Sequence, residues 1–464
     1  MRIFLTATLL TASVVTTVLS LVLLPFDTTR EVEPLVGFTA VLWVLFAASV
    51  LVLRRVPQRA AIILVMVGAV ALGGAALAGP PNTSTDSARY AWDGIVQRAG
   101  ISPYEYVPAD PALAELRTDW LFPPAVEGEC VGERIMTFEE PGTGRVLCSA
   151  INRLTVPTIY APTAELYFAA IRLIAGPDAT YLPSQLGGLL LSLAVTALLL
   201  RTLLRLGRDP RWAALWGWCP LVATEAVTNS HVDVLGALLL LLATVLVSSR
   251  RQWLGGFALG AAIAVKLMPA LGVPAMFRWR VIVGAIVAFG VLYVPYIIVS
   301  GPDVLGYLPG YLGEEGYGTG KRFILLWLLP GLAATIVAGI VIAVTALIVI
   351  RRSNALDPWM GQVVMIGVAL LVLSPRYAWY ALLLLPMIAM TGRWEWLAVP
   401  LALTGRLLVP DLAIGRITIF LSVAVIVAVS IARMPPEARQ QWDRRLRHPL
   451  STGLLDPRKW VTRG

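Results

Sequence analysis

Apolar runs separated by short polar stretches fill most of this chain, and their lengths decide its class. Long runs occupy residues 3–24, 35–53, 60–78, 182–204, 281–300, 323–350 and 412–432; shorter ones lie at 213–228, 232–247, 254–265, 268–277, 362–373, 377–390 and 394–408. A helix that crosses a membrane upright needs roughly 20 predominantly apolar residues. The pattern therefore predicts an all-α, polytopic transmembrane helical bundle of about 12–14 spans, with the short runs forming broken helices or re-entrant hairpins. The run at 164–175 is too short for a full span, and counting it as one would move the arginines at 201–211 to the opposite side; it reads as an interfacial or re-entrant helix. No internal repeat is visible, so the inverted-repeat plan of many transporters has no support in the pattern.

Composition sharpens this picture. Of 464 residues, 58% are hydrophobic and 14% charged, with a mean hydropathy of +0.77, far too apolar for a soluble domain. The net charge of +9 comes from arginines in short clusters: Arg54, Arg55 and Arg59, then Arg201 to Arg211, Arg250 and Arg251, Arg278 and Arg280, Arg351 and Arg352, Arg393, and a basic tail after Arg433. Clusters between apolar runs mark cytoplasmic loops and not a nucleic-acid-binding face, so no nucleic-acid partner is expected. Placing all of them inside gives a multi-pass protein of the cytoplasmic membrane with both termini inside, and residues 3–24 as a retained signal-anchor helix. Four segments follow: N-terminal transmembrane helices at 1–78, an extracytoplasmic loop or cap at 79–162, a transmembrane helical core at 163–433 and a basic cytoplasmic tail at 434–464.

The cap is broken by Pro103, Pro108, Pro111, Pro123, Pro124, Pro141 and Pro157 into short helices and turns. It holds Cys130 and Cys148, which in an oxidising compartment are most simply a disulfide; a metal pair is the weaker reading because the cap has no histidine. Cys219, in an apolar stretch, reads as a packing residue. The chain has only two histidines, His231 and His448, which excludes a multi-histidine metal site; no cofactor is expected, and a divalent metal held by carboxylates alone stays open.

Polar chemistry concentrates where the third long run meets the cap. Asp86, Arg89, Tyr90, Trp92, Asp93 and Gly94 stand there together, followed by Gly100-Ile101-Ser102-Pro103-Tyr104. Further on come Pro157 to Pro162 with Tyr160, Asn229-Ser230-His231-Val232-Asp233, Ala264 to Pro269 with Lys266, and Ser374-Pro375-Arg376-Tyr377 with Trp379 and Tyr380. In this order the segments resemble the GT-C superfamily of integral-membrane glycosyltransferases, closest to the polyprenol-phosphate-mannose-dependent α-mannosyltransferase type, glycosyltransferase family 87. The resemblance implies a GT-C-like bundle and an inverting, single-displacement transfer of a hexose, mannose first. The donor would be a polyprenyl-phosphate sugar and the acceptor an envelope glycolipid or glycan, with membrane lipids around the protein and the active site facing outside. It also implies one catalytic acid early in the first outer loop.

Such a transfer needs a base for the acceptor hydroxyl and cations for the departing phosphate. Asp86 is the first candidate for the base and Asp93 the second; seven residues apart, they share a face if the segment is helical. The bland alternatives are that Asp86 caps that helix and that Asp93 pairs with Arg89 four residues away. Arg89, Tyr90, Trp92, Tyr104, Tyr160, Asn229, His231 and Asp233 are candidate substrate- and donor-binding residues. Lys266, one of only three lysines, stands in an apolar stretch, reaching either a lipid phosphate or a salt-bridge partner such as Asp233 or Glu225. Arg376 offers a planar fork to phosphate, and Tyr377 and Tyr380 beside it fit either an interface for prenyl chain and sugar or an ordinary aromatic belt.

Other classes compete with this reading. A transporter or lipid flippase would also be polytopic, but would keep its ionisable groups near the midplane and would not need so large a cap. A non-catalytic envelope scaffold would have no use for the retained carboxylates and cations. Arabinofuranose is the variant donor sugar, and the scarcity of lysine beside abundant arginine, alanine and valine points to a GC-rich, actinobacterial source.

Overall fold

The computed structural model describes residues 1–24, 32–132, 134–140, 142–317, 319 and 322–437. The tail at 434–464 and His448 therefore lie almost wholly outside the described residues.

The protein is a bundle of helices carrying one polar cap. Helices α1 (Arg2–Leu23), α2 (Glu33–Leu53) and α3 (Gln58–Ala75) come first. The cap follows, with α4 (Asp86–Arg98) and a hairpin of β1 (Met136–Glu139) and β2 (Val146–Ser149). Next come α5 (Pro162–Ala175), α6 (Leu182–Arg205), the single-turn α7 (Ala214–Gly217), α8 (Asp233–Ser248), α9 (Gln252–Ile263), α10 (Trp279–Ser300) and α11 (Leu308–Glu314). The chain closes with α12 (Gly331–Arg352), α13 (Trp359–Leu373), α14 (Leu385–Thr391), α15 (Ala398–Leu408) and α16 (Leu412–Ala432).

Seven stretches of the described residues are long and apolar enough to cross a membrane, eight if the bent pair Val222–Thr228 and Asp233–Ser248 counts as one span. That is fewer than the 12–14 expected. The shortfall lies in the short runs: Gln252–Ile263 and Trp359–Leu373 are too short, and 268–277, 377–390 and 394–408 fold as 3₁₀ turns joined to short helices. Irregular backbone of this kind is tolerated within an apolar bundle only where protein or a cavity surrounds it. The pair at 222–248 bends by 111°, with Ser230 in the left-handed region at the corner.

The cap has a core of its own, in which Trp92, Ile95 and Val96 of α4 meet Leu113, Leu121, Phe122, Ile151 and Leu154. A disulfide joins Cys130 to Cys148, tying the start of the hairpin to β2. The helical protein carries this one small hairpin among its described residues: Thr137 pairs with Cys148 and Phe138 with Leu147 in antiparallel register. The turn between them, Glu140-Pro141-Gly142-Thr143-Gly144, is the signal that would have predicted the hairpin. α4 lies on α5, and Gly94 makes the approach close enough that a Cβ there would sit 2.4 Å from Phe168 O.

A second tight approach joins α6 to the broken helix at Gly188, where a Cβ would fall 1.9 Å from Ala226 O. Backbone cannot yield cheaply to that intrusion. Gly188→Ala should lower the stability of the purified protein by about 1–3 kcal/mol, whereas Gly290→Ala, with nothing within 4 Å, should leave it unchanged. Thermal unfolding in lipid nanodiscs checks both; equal melting temperatures would refute the contact.

Candidate active site

Where α4 begins, backbone geometry and not a cap sets the position of Asp86. The N-cap residue Thr85 makes no side-chain cap bond, and Asp86 N donates to Ser84 Oγ at 3.1 Å. The incoming segment is pinned from the bundle: buried Asn229 accepts from the backbone N–H groups of Asn82 (3.0 Å) and Thr83 (3.2 Å) through Oδ1, and donates to Thr83 Oγ1 at 2.7 Å. The Asp86 carboxylate faces outward from this frame. Its Oδ1 accepts from Asn152 Nδ2 at 2.8 Å, so the capping alternative does not hold.

A cavity of about 640 Å³ lies between cap and bundle. Val265, Leu267, Met268, Val304, Leu305, Leu308, Leu312 and Leu373 give it an apolar wall, with Tyr160, Tyr311, Tyr377, Trp379 and Tyr380 among its aromatic groups. Among the described residues, the Asp, Glu, Lys and Arg side chains lining it are Asp86, Arg153 and Lys266. One carboxylate and two cations thus face one apolar chamber.

His231 joins the two sides of this site. Its buried ring stacks on Trp379 at 3.8 Å, and Trp379 stacks in turn on Tyr377 at 4.6 Å, linking the corner of the broken helix to the segment after α13. Nδ1 lies 3.3 Å from Tyr90 Oη and 3.8 Å from Asp86 Oδ2. Nε2 stands 3.2 Å from Glu225 Oε2, an ion-pair distance without the alignment of a hydrogen bond.

The two cations are held differently. Lys266, in the break between α9 and the turn Met268–Gly272, donates to both oxygens of Asp233 at 3.1 Å and sits 4.2 Å from the centre of the Tyr380 ring. Lys266 thus makes the salt bridge with Asp233 that was the alternative for it, and it also lines the cavity. Arg153 had no motif to announce it. Its Nη2 lies 3.0 Å from Glu314 Oε2, and its guanidinium stands over the Tyr311 ring at 5.4 Å. Side-chain exposures of 37% and 42% for Arg153 and Glu314, against 23% and 7% for Lys266 and Asp233, separate the pairs. An exposed pair is worth at most about 1 kcal/mol, whereas stripping a buried carboxylate of its partner costs on the order of 3 kcal/mol.

Several other sequence candidates fall outside the chamber. Asp93 is buried and paired with Arg89 at 2.8 Å, the bland alternative for that residue, and does not line the cavity. Arg89 also donates to Val156 O (3.1 Å) and Arg153 O (3.4 Å), shaping the turn that carries Arg153. Trp92 belongs to the cap core against Phe122, and Tyr104 donates to Tyr160 O at 2.7 Å from a buried position. Tyr90, Asn229 and Asp233 support the lining without joining it, while Tyr160, Tyr377 and Tyr380 do line it. Arg376 is exposed and does not line the cavity, and the left-handed Ser374 before it turns the chain there. Among the described residues no group of three or more His, Cys, Asp or Glu side chains is placed to hold a metal ion.

Behind the site, Asp93 and Glu165 share one hydroxyl. Thr158 Oγ1 lies 2.9 Å from Asp93 Oδ2 and 2.7 Å from Glu165 Oε1. A hydroxyl has one proton to give, so one acid must supply its own. Burial raises the Asp93 carboxyl, with Arg89 opposing it, whereas burial, then the charge of Asp93, holds the Glu165 carboxyl well above its ordinary range, so the proton sits on Glu165. Gln97 Nε2 donates to Glu165 Oε2 at 2.8 Å and completes the network. The folded protein therefore retains a proton that the unfolded chain releases, and stability falls as pH rises above the ordinary carboxylate range. Glu165→Gln, a neutral isostere, should keep the melting temperature at neutral pH and flatten that decline. Asp93→Asn, which strips the buried Arg89, should cost about 3–5 kcal/mol. Melting curves between pH 5 and 9 test both; a steeper decline in Glu165→Gln would contradict the assignment.

Residues 158–375 match the family model of glycosyltransferase family 87. No curated protein and no solved structure gives a significant match. The matched segment contains Tyr160, His231, Asp233, Lys266 and the wall from Val304 to Tyr317, and Asp86 enters the same chamber from the cap that precedes it. Just under half of the chain is thus similar to glycosyltransferase family 87, within a polytopic helical protein that has seven or eight candidate spans among its described residues.

Proposed function

We propose that the protein moves a hexose, mannose first, from a polyprenyl-phosphate donor to an envelope glycolipid or glycan at the outer face of the cytoplasmic membrane. The observation that carries this is one chamber joining a long apolar wall to Asp86, Arg153 and Lys266. A polyprenyl chain suits the wall, and a sugar phosphate suits the charged end. The arginine clusters between the apolar runs support a cytoplasmic side opposite the cap, which puts the chamber outside.

The chemistry follows from the placement of Asp86. Asn152 occupies Oδ1, leaving Oδ2 for the acceptor. That oxygen takes the acceptor hydroxyl's proton while the acceptor oxygen attacks C1 from the face opposite the phosphate. The C1–O bond breaks, its electron pair leaves with the phosphate, and the configuration at C1 inverts. Arg153 and Lys266 stabilise charge that grows on the leaving phosphate, and fixed cations beside an apolar wall act more strongly there than in bulk water.

Asp86→Asn preserves the hydrogen bond from Asn152 and removes the base. It should retain donor binding and lose transfer by roughly 100-fold or more. The assay is purified protein in nanodiscs with polyprenyl-phosphate mannose and an envelope-lipid acceptor pool. Near-normal turnover by the variant would eliminate Asp86 as the base; absence of transfer by the wild-type protein from any lipid-linked sugar would eliminate the donor class.

A further inference from the structure

Resting on that donor class, we infer that Arg153 is the cation that takes the donor's phosphate, and that Glu314 holds the same guanidinium as an internal anion until phosphate replaces it. Both cations line the chamber, but only one is exchangeable. Lys266 donates to two oxygens of a buried carboxylate, so drawing it away would leave Asp233 buried and uncompensated. Releasing Glu314 leaves a carboxylate at 42% exposure, where water solvates it.

Arg153 is also prepared for an oxyanion. It adopts a left-handed backbone at φ 53°, a conformation uncommon outside glycine, and Arg89 secures the turn from below by donating to its carbonyl and to that of Val156. The Tyr311 ring covers one face of the guanidinium, so the edge of the fork is what remains for an oxyanion. Glu314 ends α11, a helix with no buried residue, which with the turn before it supplies Leu305, Leu308, Tyr311 and Leu312 to the chamber wall. Tyr307 Oη hydrogen-bonds the other Glu314 oxygen, keeping that carboxylate near the guanidinium. The exchange thus takes place at the seam between cap and wall.

The test is equilibrium binding of undecaprenyl phosphate to the full chain in nanodiscs. Arg153→Gln should weaken binding by about 10- to 100-fold, as expected when a charge-assisted contact to phosphate is lost, and Arg153→Lys should recover part of it. Glu314→Gln should tighten binding by about 3-fold, the scale of an exposed ion pair, and this gain should vanish when Arg153→Gln is also present. Unchanged affinity in Arg153→Gln overturns the inference. Weakening by Glu314→Gln as large as that by Arg153→Gln overturns it too, because the pair would then be a structural tie. Wild-type protein that binds no undecaprenyl phosphate overturns the donor class, and this inference with it.

Discussion

Asn229 is the point on which the site depends. Its side chain is fully buried at the corner of a broken helix, and its amide satisfies two backbone N–H groups of the segment that delivers Asp86. In an apolar bundle an unpaired backbone donor costs far more than at a surface. The entry to the cap therefore has one inexpensive position, and Asp86 is placed by that bond pattern. The same corner presents His231 to Trp379, so the break in one helix and the irregular segment after another are fixed together. Irregular backbone, the costliest feature of a membrane interior, is concentrated beside the cavity that holds Asp86.

Charge is sorted by the same economy of burial. Arg89, Asp93, Thr158 and Glu165 form a closed network behind the chamber, and its product is the shape of the turn at 153–156. Lys266 and Asp233 form a second pair whose ammonium reaches the lining while its carboxylate stays beneath. Arg153 and Glu314 form the third and most solvated pair. Passing from the first to the third, the pairs change from support of the fold to groups available to substrate.

The long helices were legible because hydropathy alone specifies them: 3–24 was expected against Arg2–Leu23, and 412–432 against Leu412–Ala432. The run at 164–175 forms α5, shorter than the candidate spans and packed on the cap helix α4. The number of spans was not legible, because an apolar run says nothing of whether it continues as one helix or breaks into 3₁₀ turns. Asp86 ranks ahead of Asp93 in the sequence, and the spacing of four residues already offers Arg89 as a partner for Asp93; the fold adds that this pair is buried and that Asp86 lines the cavity. Arg153 carried no motif. Its role arises from the fold bringing position 153 to position 314, a separation that local patterning does not encode. Arg376 shows the limit from the other side: flanking aromatics suggest a phosphate site, while the turn at Ser374 leaves the arginine exposed and off the cavity lining.

The account's central claim is that sugar transfer occurs at the charged end of this one chamber, with Asp86 facing the reacting carbon. A cryo-EM structure of the protein in nanodiscs with a non-hydrolysable polyprenyl-phosphate mannose analogue tests it most directly. The prediction is prenyl density along Leu267, Leu308 and Leu373, phosphate density beside Arg153 and Lys266, and the sugar's C1 turned toward Asp86. Donor density outside this chamber, or a sugar whose C1 faces away from Asp86 with no room for an acceptor between them, would contradict the account.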